Sequence, residues 1–526
     1  MTDENPDPKS YARRLVKGGA IIFMALVASG FIAFLLRMFL ARSLIAEDIA
    51  LGVKEGYHYG LFYAILALVS FFALFRDLGL NSALVKYIPE FSMRKKFSAI
   101  KSSMAFVAIF QAIFAFSVAT LLFIFSNQIA LEFFRTEAAV LPLRILCAWF
   151  FVMGFYVIIR SAFQGFQNMS AYAGMEFLWI TFVLLSAVLF VGVLGQGIGG
   201  VASAYLVATA VMIVLALAYF GKRYPQAFKG KGSITKPFVK KLFVFALPVF
   251  IGGLGGLVIG YMDTLMIAVF RTLPEVGLYQ VAQPTAYILW VFVGALTTVL
   301  FPMVSELWVR RERVLLSSAL HFLIKFSFML IIPAALIFIA FPDIIIRLLF
   351  GEGYLAGATA LQILAGAAIV YTPFAILVST IGGIGKPIVG TKVIGAMACL
   401  NLVGNLLLIP PYGIEGAAVA TLFSYLLGFV LLFYYSRKFV KFTVSASSLL
   451  KTLAGGVLTL FFIFGLKSVL LLPPWPEAFA VMIPSLVFYG VWILATKAIT
   501  KDDLKLVARI VPMPKWLVKI ARKFVR

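Results

Sequence analysis

Charge is scarce in this chain. Only 13% of its 526 residues are Asp, Glu, Lys or Arg, whereas 63% are hydrophobic and the mean hydropathy is +1.05. A soluble fold of this length has too little interior to hide so much apolar surface. The composition therefore excludes a soluble enzyme or binding module and predicts an all-α integral membrane protein. Cysteine is nearly absent: Cys147 and Cys399 lie in separate apolar runs and read as small hydrophobes, so no disulfide framework is expected. Histidine is as rare, with only His58 and His321, and HExxH and CxxC patterns are missing, so neither a typical zinc site nor a cofactor is expected. The chain also lacks a GxxxxGK[ST] loop, which excludes a nucleotide-driven pump. Its N-terminus is polar up to Lys17, and the apolar run that follows has no small-residue cleavage site. It reads as a first transmembrane helix rather than a removed signal peptide.

What is present is a series of long apolar runs. Stretches of roughly 20 apolar residues, bounded by charges or by Gly and Pro, predict about 14 spans. They fall near 18–40, 58–88, 102–126, 142–163, 172–194, 199–220, 241–270, 279–304, 317–341, 357–381, 388–409, 414–436, 450–472 and 477–498. RDLGLNS at 76–82 interrupts the second span. An unbroken helix over 58–90 would be about 50 Å long, so this one projects beyond the bilayer or bends.

The sign of the charge sets the topology. There are 45 Lys and Arg against 21 Asp and Glu, a formal net charge of +24. With both termini in the cytoplasm, 36 of the basic residues fall on that side and seven on the other, leaving Arg37 and Arg76 inside spans. The positive-inside rule favours that orientation, in a plasma membrane. Short basic loops such as SMRKKFSAIK (92–101) and KGKGSITKPFVKK (229–241) then face anionic lipid, and no nucleic-acid partner is expected.

The chain repeats itself. GIGGVASAYLVATA (197–210) and GIEGAAVATLFSYL (413–426) share Gly, Ile, Gly, Ala and Ala at the same spacing, offset by 216. QGFQN (164–168) parallels GGIGK (382–386), and YGLFYA (59–64) parallels VGLYQV (276–281). Pro89 and Ser92 match Pro302 and Ser305 at the exits of the second and eighth spans. Small residues at such spacing also serve simply as close-packing faces, but four matches in one order point to a duplication. Helices 1–6 (residues 1–225) therefore recur as helices 7–12 (226–440) in the same orientation. An even number of spans per repeat predicts two six-helix bundles related by a pseudo-two-fold axis along the membrane normal. Helices 13 and 14 (441–500) and a basic cytoplasmic tail (501–526) are appended. The tail reads as an amphipathic helix on the cytoplasmic leaflet or as a contact for a partner.

Three stretches carry a family resemblance. ALFRDLGLNSALVKYIPEF (73–91), LPVFIGGLGGLVIGYMDTLMIAVFRTLPEVGLYQVAQP (247–284) and IGGIGKPIVGTKVIGAMACLNLVGNLLLIPPYGIEGAAVAT (381–421) resemble segments of the polysaccharide (O-antigen type) flippases. Those proteins belong to the multidrug/oligosaccharidyl-lipid/polysaccharide exporter superfamily. The resemblance implies a two-lobed transporter of fourteen helices. It would move a lipid-diphosphate-linked oligosaccharide from the cytoplasmic to the outer leaflet by alternating access. The partners implied are membrane lipid and the lipid-linked glycan, no enzymatic activity is implied, and a monomer is expected.

A diphosphate calls for buried cations, and the planar fork of arginine suits phosphate oxygens. Arg37, Arg76 and Arg144 are the candidates. Each has a plainer reading beside it: an ion pair or snorkelling for Arg37, a hinge or pairing with Asp77 for Arg76, a surface position for Arg144. A cation site is a second candidate. Asn401 and Asn405, four apart on one helical face, join Asp263 and Thr421 as oxygen ligands of the kind hard cations take. The resemblance to the peptidoglycan lipid flippase branch implies a sodium site at Asp263, Asn401, Asn405 and Thr421, with the carbonyl of Ala417. Asn405 stands where that pattern can carry a second carboxylate. Coupling to Na+, coupling to H+ through Asp263, and a purely structural role all stay open.

Two rival functions remain. One is a cation-coupled multidrug exporter of the same superfamily, which would favour carboxylates over Arg37 and Arg76 in its cavity. The other is a membrane glycosyltransferase, which would need carboxylates on a sizeable external loop. The longest such loop expected, about 41–57, holds only Glu47, Asp48 and Glu55, and Glu47-Asp48 reads as a solvated face.

Overall fold

In the computed structural model, residues 8–228, 234–442, 445–470 and 472–498 are described, so the basic tail expected over 501–526 lies outside the described residues. Among them every regular element is helical, which suits a backbone in hydrocarbon because a helix satisfies its N–H and C=O groups within the segment. The first unit holds α1 (Pro8–Ala50), α2 (Tyr57–Phe71), α3 (Ala73–Asp77), α4 (Leu80–Met93), α5 (Phe97–Ile124), α6 (Ser126–Gln128), α7 (Val140–Gly165), α8 (Met169–Ala187), α9 (Gly197–Arg223) and α10 (Lys236–Phe270). It closes at Gln280, within α11 (Leu273–Val309). The second unit holds the rest of α11, then α12 (Arg313–Ala340), α13 (Pro342–Leu349), α14 (Ala358–Gly383), α15 (Pro387–Phe439), α16 (Ala446–Val469) and α17 (Pro474–Ala495).

Among the described residues, twelve helical stretches are long and apolar enough to cross a membrane. The longest, α15, bends at Gly413 (φ 58°, ψ −132°) just after Pro410 and Pro411, and so carries the expected eleventh and twelfth spans. α11, at 37 residues, carries the eighth.

Two expectations change. The first helix does not stop near residue 40 but runs on to Ala50, so the loop expected over 41–57 shrinks to residues 51–56. Asp48 is therefore a helical residue, and it is 0% exposed rather than part of a solvated face. The second span does bend. It breaks into α2, α3 and α4, with Leu78 at φ 45° and Gly79 at φ 77°. A Cβ on Gly79 would lie 2.2 Å from the Ala246 carbonyl oxygen of α10, so the break is also a close helix crossing.

In the first unit the core gathers Leu84, Ile88, Phe163, Met212 and Phe220. The indoles of Trp149 and Trp179 both donate to Thr209 Oγ1, at 3.1 and 2.9 Å. In the second, Trp290 stacks between Tyr287 and Tyr371, with ring centroids 4.0 and 4.1 Å away.

The sequence repeat is written into the backbone. QGFQN and GGIGK end their helices in the same turn: Gln167 N–H donates to Gln164 O at 2.9 Å and Asn168 N–H to Phe163 O at 2.9 Å. The counterparts, Gly385 to Gly382 and Lys386 to Ile381, are both 3.0 Å. This paired pattern is a Schellman cap. The cap recurs after the second and eighth spans, where Lys95 N–H donates to Ser92 O at 3.0 Å and Arg311 N–H to Trp308 O at 3.2 Å. Gly197 and Gly413, which open the matched GIGG and GIEG motifs, share a positive φ of 53° and 58°.

Candidate substrate and ion sites

The site grows from the way α1 and α2 join. Asp48 turns its carboxylate onto the first turn of α2. Oδ2 accepts the Gly56 and Tyr57 amides at 2.7 and 3.1 Å, and Oδ1 accepts the His58 amide at 3.1 Å. The His58 ring Nδ1 lies 2.5 Å from the same Oδ1. A carboxylate here satisfies donors that a helix start leaves without intrahelical partners and meets the positive end of the helix dipole. Its neighbour Glu47 packs against the first residue of α9, where a Cβ on Gly197 would fall 2.2 Å from Glu47 Oε1.

That clamp sets α2 against the first turns of α11. A Cβ on Gly60 would lie 1.9 Å from the Leu273 carbonyl oxygen, and one on Gly277 would lie 2.4 Å from the Gly56 carbonyl oxygen. In the register of YGLFYA and VGLYQV, Gly56 matches Leu273 and Gly60 matches Gly277. The two contacts are thus reciprocal, as in an isologous interface, and only glycine lets the backbones meet this closely.

Arg37 of α1 reaches the same seam and is partly exposed. Its guanidinium carbon sits 4.5 Å from the centre of the Tyr63 ring. Nη1 donates to Gln280 Oε1 at 3.1 Å, with a longer approach of 3.5 Å to the Gln280 main-chain oxygen. Tyr63 and Gln280 are themselves repeat-matched positions. The Tyr59 hydroxyl is a further partner, and among the described residues the groups this cation meets are neutral.

From Gln280 the contacts lead to Asp263. Gln280 Nε2 donates to Thr264 Oγ1 at 2.6 Å, and one residue earlier on both helices the Tyr279 hydroxyl donates to Asp263 Oδ2 at 2.6 Å. Asp263 is 1% exposed. The sequence shows YGLFYA and VGLYQV as a repeat, but nothing in it alone ties Tyr279, Gln280 and Thr264 to Asp263 and Arg37. The available signal was the glutamine and tyrosine on an apolar helix one turn after a packing glycine.

In the second unit, Asn401, Asn405 and Thr421 come together as their spacing predicts, all fully or nearly fully buried. Asn405 Nδ2 donates to Asn401 Oδ1 at 3.2 Å, and Asn401 Nδ2 donates to Thr421 Oγ1 at 3.3 Å. Ala417 is buried on the same helix, one turn before Thr421. The set is rich in oxygen and poor in charge, which fits a monovalent hard cation. Asn401 Oδ1 and Thr421 Oγ1, the oxygens such an ion would take, are engaged by amide protons that the ion would have to displace.

The other two arginines are held elsewhere. Arg76 is 4% exposed, donates from Nη1 to Phe150 O at 2.6 Å, and lies over the Phe150 ring. The adjacent Asp77 accepts the Asn81 amide and Gln111 Nε2, at 2.8 and 3.2 Å. Both charged groups are thus held by neighbouring atoms at the break between α3 and α4. Arg144 donates to Ser126 Oγ at 2.9 Å and to Asn127 Oδ1 at 3.4 Å, at the start of α7. Arg37, Arg76 and Arg144 share no hydrogen-bond partner.

Comparison with known proteins extends this picture. Residues 15–308 match the family described as "Polysaccharide biosynthesis protein". The membrane protein MJ1068 of Methanocaldococcus jannaschii is 31% identical over 444 residues, covering 82% of this chain and 86% of that protein. The probable low-salt glycan biosynthesis flippase Agl15 of Haloferax volcanii is 27% identical over 284 residues, or 53% of this chain and 60% of its own length. Among solved structures, the lipid II flippase MurJ in an inward closed conformation superposes with a TM-score of 0.74 at 14% identity. The match covers 91% of this chain and 99% of MurJ. An inward-facing multidrug resistance transporter of the MATE family gives 0.67 at 15% identity, over 78% of this chain and 94% of that one. Identities this low speak to the fold, and it is the family match over more than half of the chain that decides kinship: the chain belongs to the polysaccharide biosynthesis protein family.

Proposed function

We propose that this transporter carries a lipid-diphosphate-linked oligosaccharide from the cytoplasmic to the outer leaflet of the plasma membrane by alternating access, with both termini in the cytoplasm. The observation that carries the reading is Arg37. A partly exposed guanidinium on a membrane helix, set among the neutral side chains of Tyr59, Tyr63 and Gln280, retains its full charge for an anion. A cationic drug would be repelled there, so the same residue argues against the multidrug exporter, which the MATE likeness alone would fit equally well. The name of the Haloferax relative, a glycan biosynthesis flippase, supports a glycan cargo.

The coupling ion is proposed to be Na+, with H+ on Asp263 as the alternative. Asn401, Thr421 and the Ala417 carbonyl are the neutral oxygen ligands, Asn405 orients Asn401, and Asp263 is the carboxylate that the family pattern assigns to the set. Na+ would supply a charge that is bound and released once per cycle.

The test is a flipping assay with the full chain in proteoliposomes. A lipid-linked oligosaccharide is supplied on one face and its arrival on the other is followed, with and without a sodium gradient. Transport of the lipid-linked sugar, lost in Arg37→Gln, is the expected result. Transport of a small cationic drug with no movement of the sugar would sink the reading.

A further inference from the structure

Three observations converge on one glutamine. First, α2 and α11 meet at Gly60 and Gly277 through bare backbone, so no side chains interlock there. Second, α1 and α2 each reach Gln280 on the first turns of α11. Arg37 Nη1 reaches its side-chain oxygen at 3.1 Å, and the Tyr59 hydroxyl approaches its main-chain oxygen at 3.5 Å. Third, Gln280 passes the connection to α10 through Thr264, beside Asp263, at 2.6 Å.

We propose that the contact between Arg37 and Gln280 is a latch on the seam between α2 and α11, and that a diphosphate opens it by taking the guanidinium away from the Gln280 amide. Gln280 is a positioning residue here. It holds Arg37 when no anion is present and yields it to one.

The chemistry favours the exchange. A neutral amide oxygen offers the guanidinium one hydrogen bond, whereas a phosphate offers a two-pronged, charge-assisted contact roughly twice as strong per bond. Losing Arg37 leaves Gln280 still bound to Thr264, so the amide is not stranded. The seam then lacks its strongest tie, and reciprocal glycine contacts can part without unthreading side chains. Because Tyr279 and Gln280 are consecutive, movement of this turn also reaches the hydrogen bond on Asp263. Substrate recognition and the carboxylate are thereby joined through two neighbouring residues of α11.

The inference rests on the reading that Arg37 meets the diphosphate, and the experiment separates the two. Full-length protein in nanodiscs is titrated with a short-chain polyprenyl diphosphate, with the matching polyprenyl alcohol as control. Gln280→Met removes the competing oxygen at nearly the same volume and is expected to bind the diphosphate about tenfold more tightly, leaving the alcohol unchanged. Gln280→Glu pairs with Arg37 and is expected to bind it about tenfold more weakly, the Thr264 hydroxyl now donating to the new carboxylate. A merely structural glutamine would not move the two affinities in opposite directions. Wild-type affinity in both variants would overturn the latch. Should the Met variant fail to fold, the Glu variant decides alone. Undiminished diphosphate binding by Arg37→Gln would instead overturn the reading beneath it, and the latch with it.

Discussion

The Tyr279 hydroxyl holds Asp263 Oδ2 at 2.6 Å, and the next residue on each helix repeats the link between Gln280 and Thr264. Two successive rungs between α10 and α11 fix the carboxylate's orientation. Sodium is therefore expected to raise the melting temperature of the detergent-solubilised protein, and Asp263→Ala to abolish that rise. Tyr279→Phe removes a proton that competes for Oδ2, so half-maximal stabilisation should occur at a lower sodium concentration. A wild-type melting temperature that ignores sodium would count heavily against the ion site.

Asn401 and Asn405 divide the ion reading from the structural one. If their hydrogen bonds only join helices, Asn401→Leu and Asn405→Leu each destabilise by about 1 kcal/mol, with the sodium response unchanged. If the oxygens are ligands, both variants also need much more sodium for the same stabilisation. Thermal melts at a series of sodium concentrations separate these outcomes.

Gly60 and Gly277 should tolerate no side chain. Gly60→Ala and Gly277→Ala each force a methyl into a carbonyl oxygen, an overpacking expected to cost about 1–3 kcal/mol. Gly260→Ala and Gly366→Ala are the controls, since a Cβ at either position meets nothing within 4 Å. The controls should melt at or above the wild-type temperature.

Asp48→Ala removes an acceptor that serves three amides and a histidine ring. The loss should be on the order of 3 kcal/mol, because buried donors are left behind on a helix start. Urea or thermal unfolding in a mild detergent reports it. Transport assayed well below the melting temperature should survive if Asp48 only builds the scaffold.

Glu90 gives a pH dependence beyond the spans. Lys241 Nζ lies 3.1 Å from its carboxylate and Arg94 Nη1 lies 3.6 Å away, and the Lys241 hydrogen bond holds its carboxyl below the ordinary range. Its contribution to stability is present above the unfolded value of about 4.3 and fades as pH falls through the lower folded value. Glu90→Gln should lose stability at neutral pH but show a shallower acid decline than the wild type in parallel melts.

How much of this could be read from residues alone depended on the kind of signal. Apolar length located the spans, because the bilayer imposes it directly. Asn401 and Asn405 were legible because helical spacing brings them to one face whatever else happens, whereas Thr421, beyond the break at Gly413, was legible only through the family resemblance. Asp48 was misread, since a carboxylate that caps a helix eight residues ahead looks like any loop acid until the chain turns. Gln280 was passed over for a related reason. Its meaning depends on Arg37, which is 243 positions away and is brought near only by the glycine seam.

The matched helix ends carry a practical lesson. Gly385 takes its left-handed turn freely, while its counterpart Gln167 makes the same turn against its own Cβ, as do Lys95 and Arg311. Left-handed backbone at a non-glycine residue costs about 1–2 kcal/mol, so each of the three stores some of that. At Gln167, one half of the molecule thus holds a template for relaxing the other. Importing glycine at Gln167, and then at Lys95 and Arg311, is a route to a hardier protein that leaves every span, and Arg37 and Asp263, untouched.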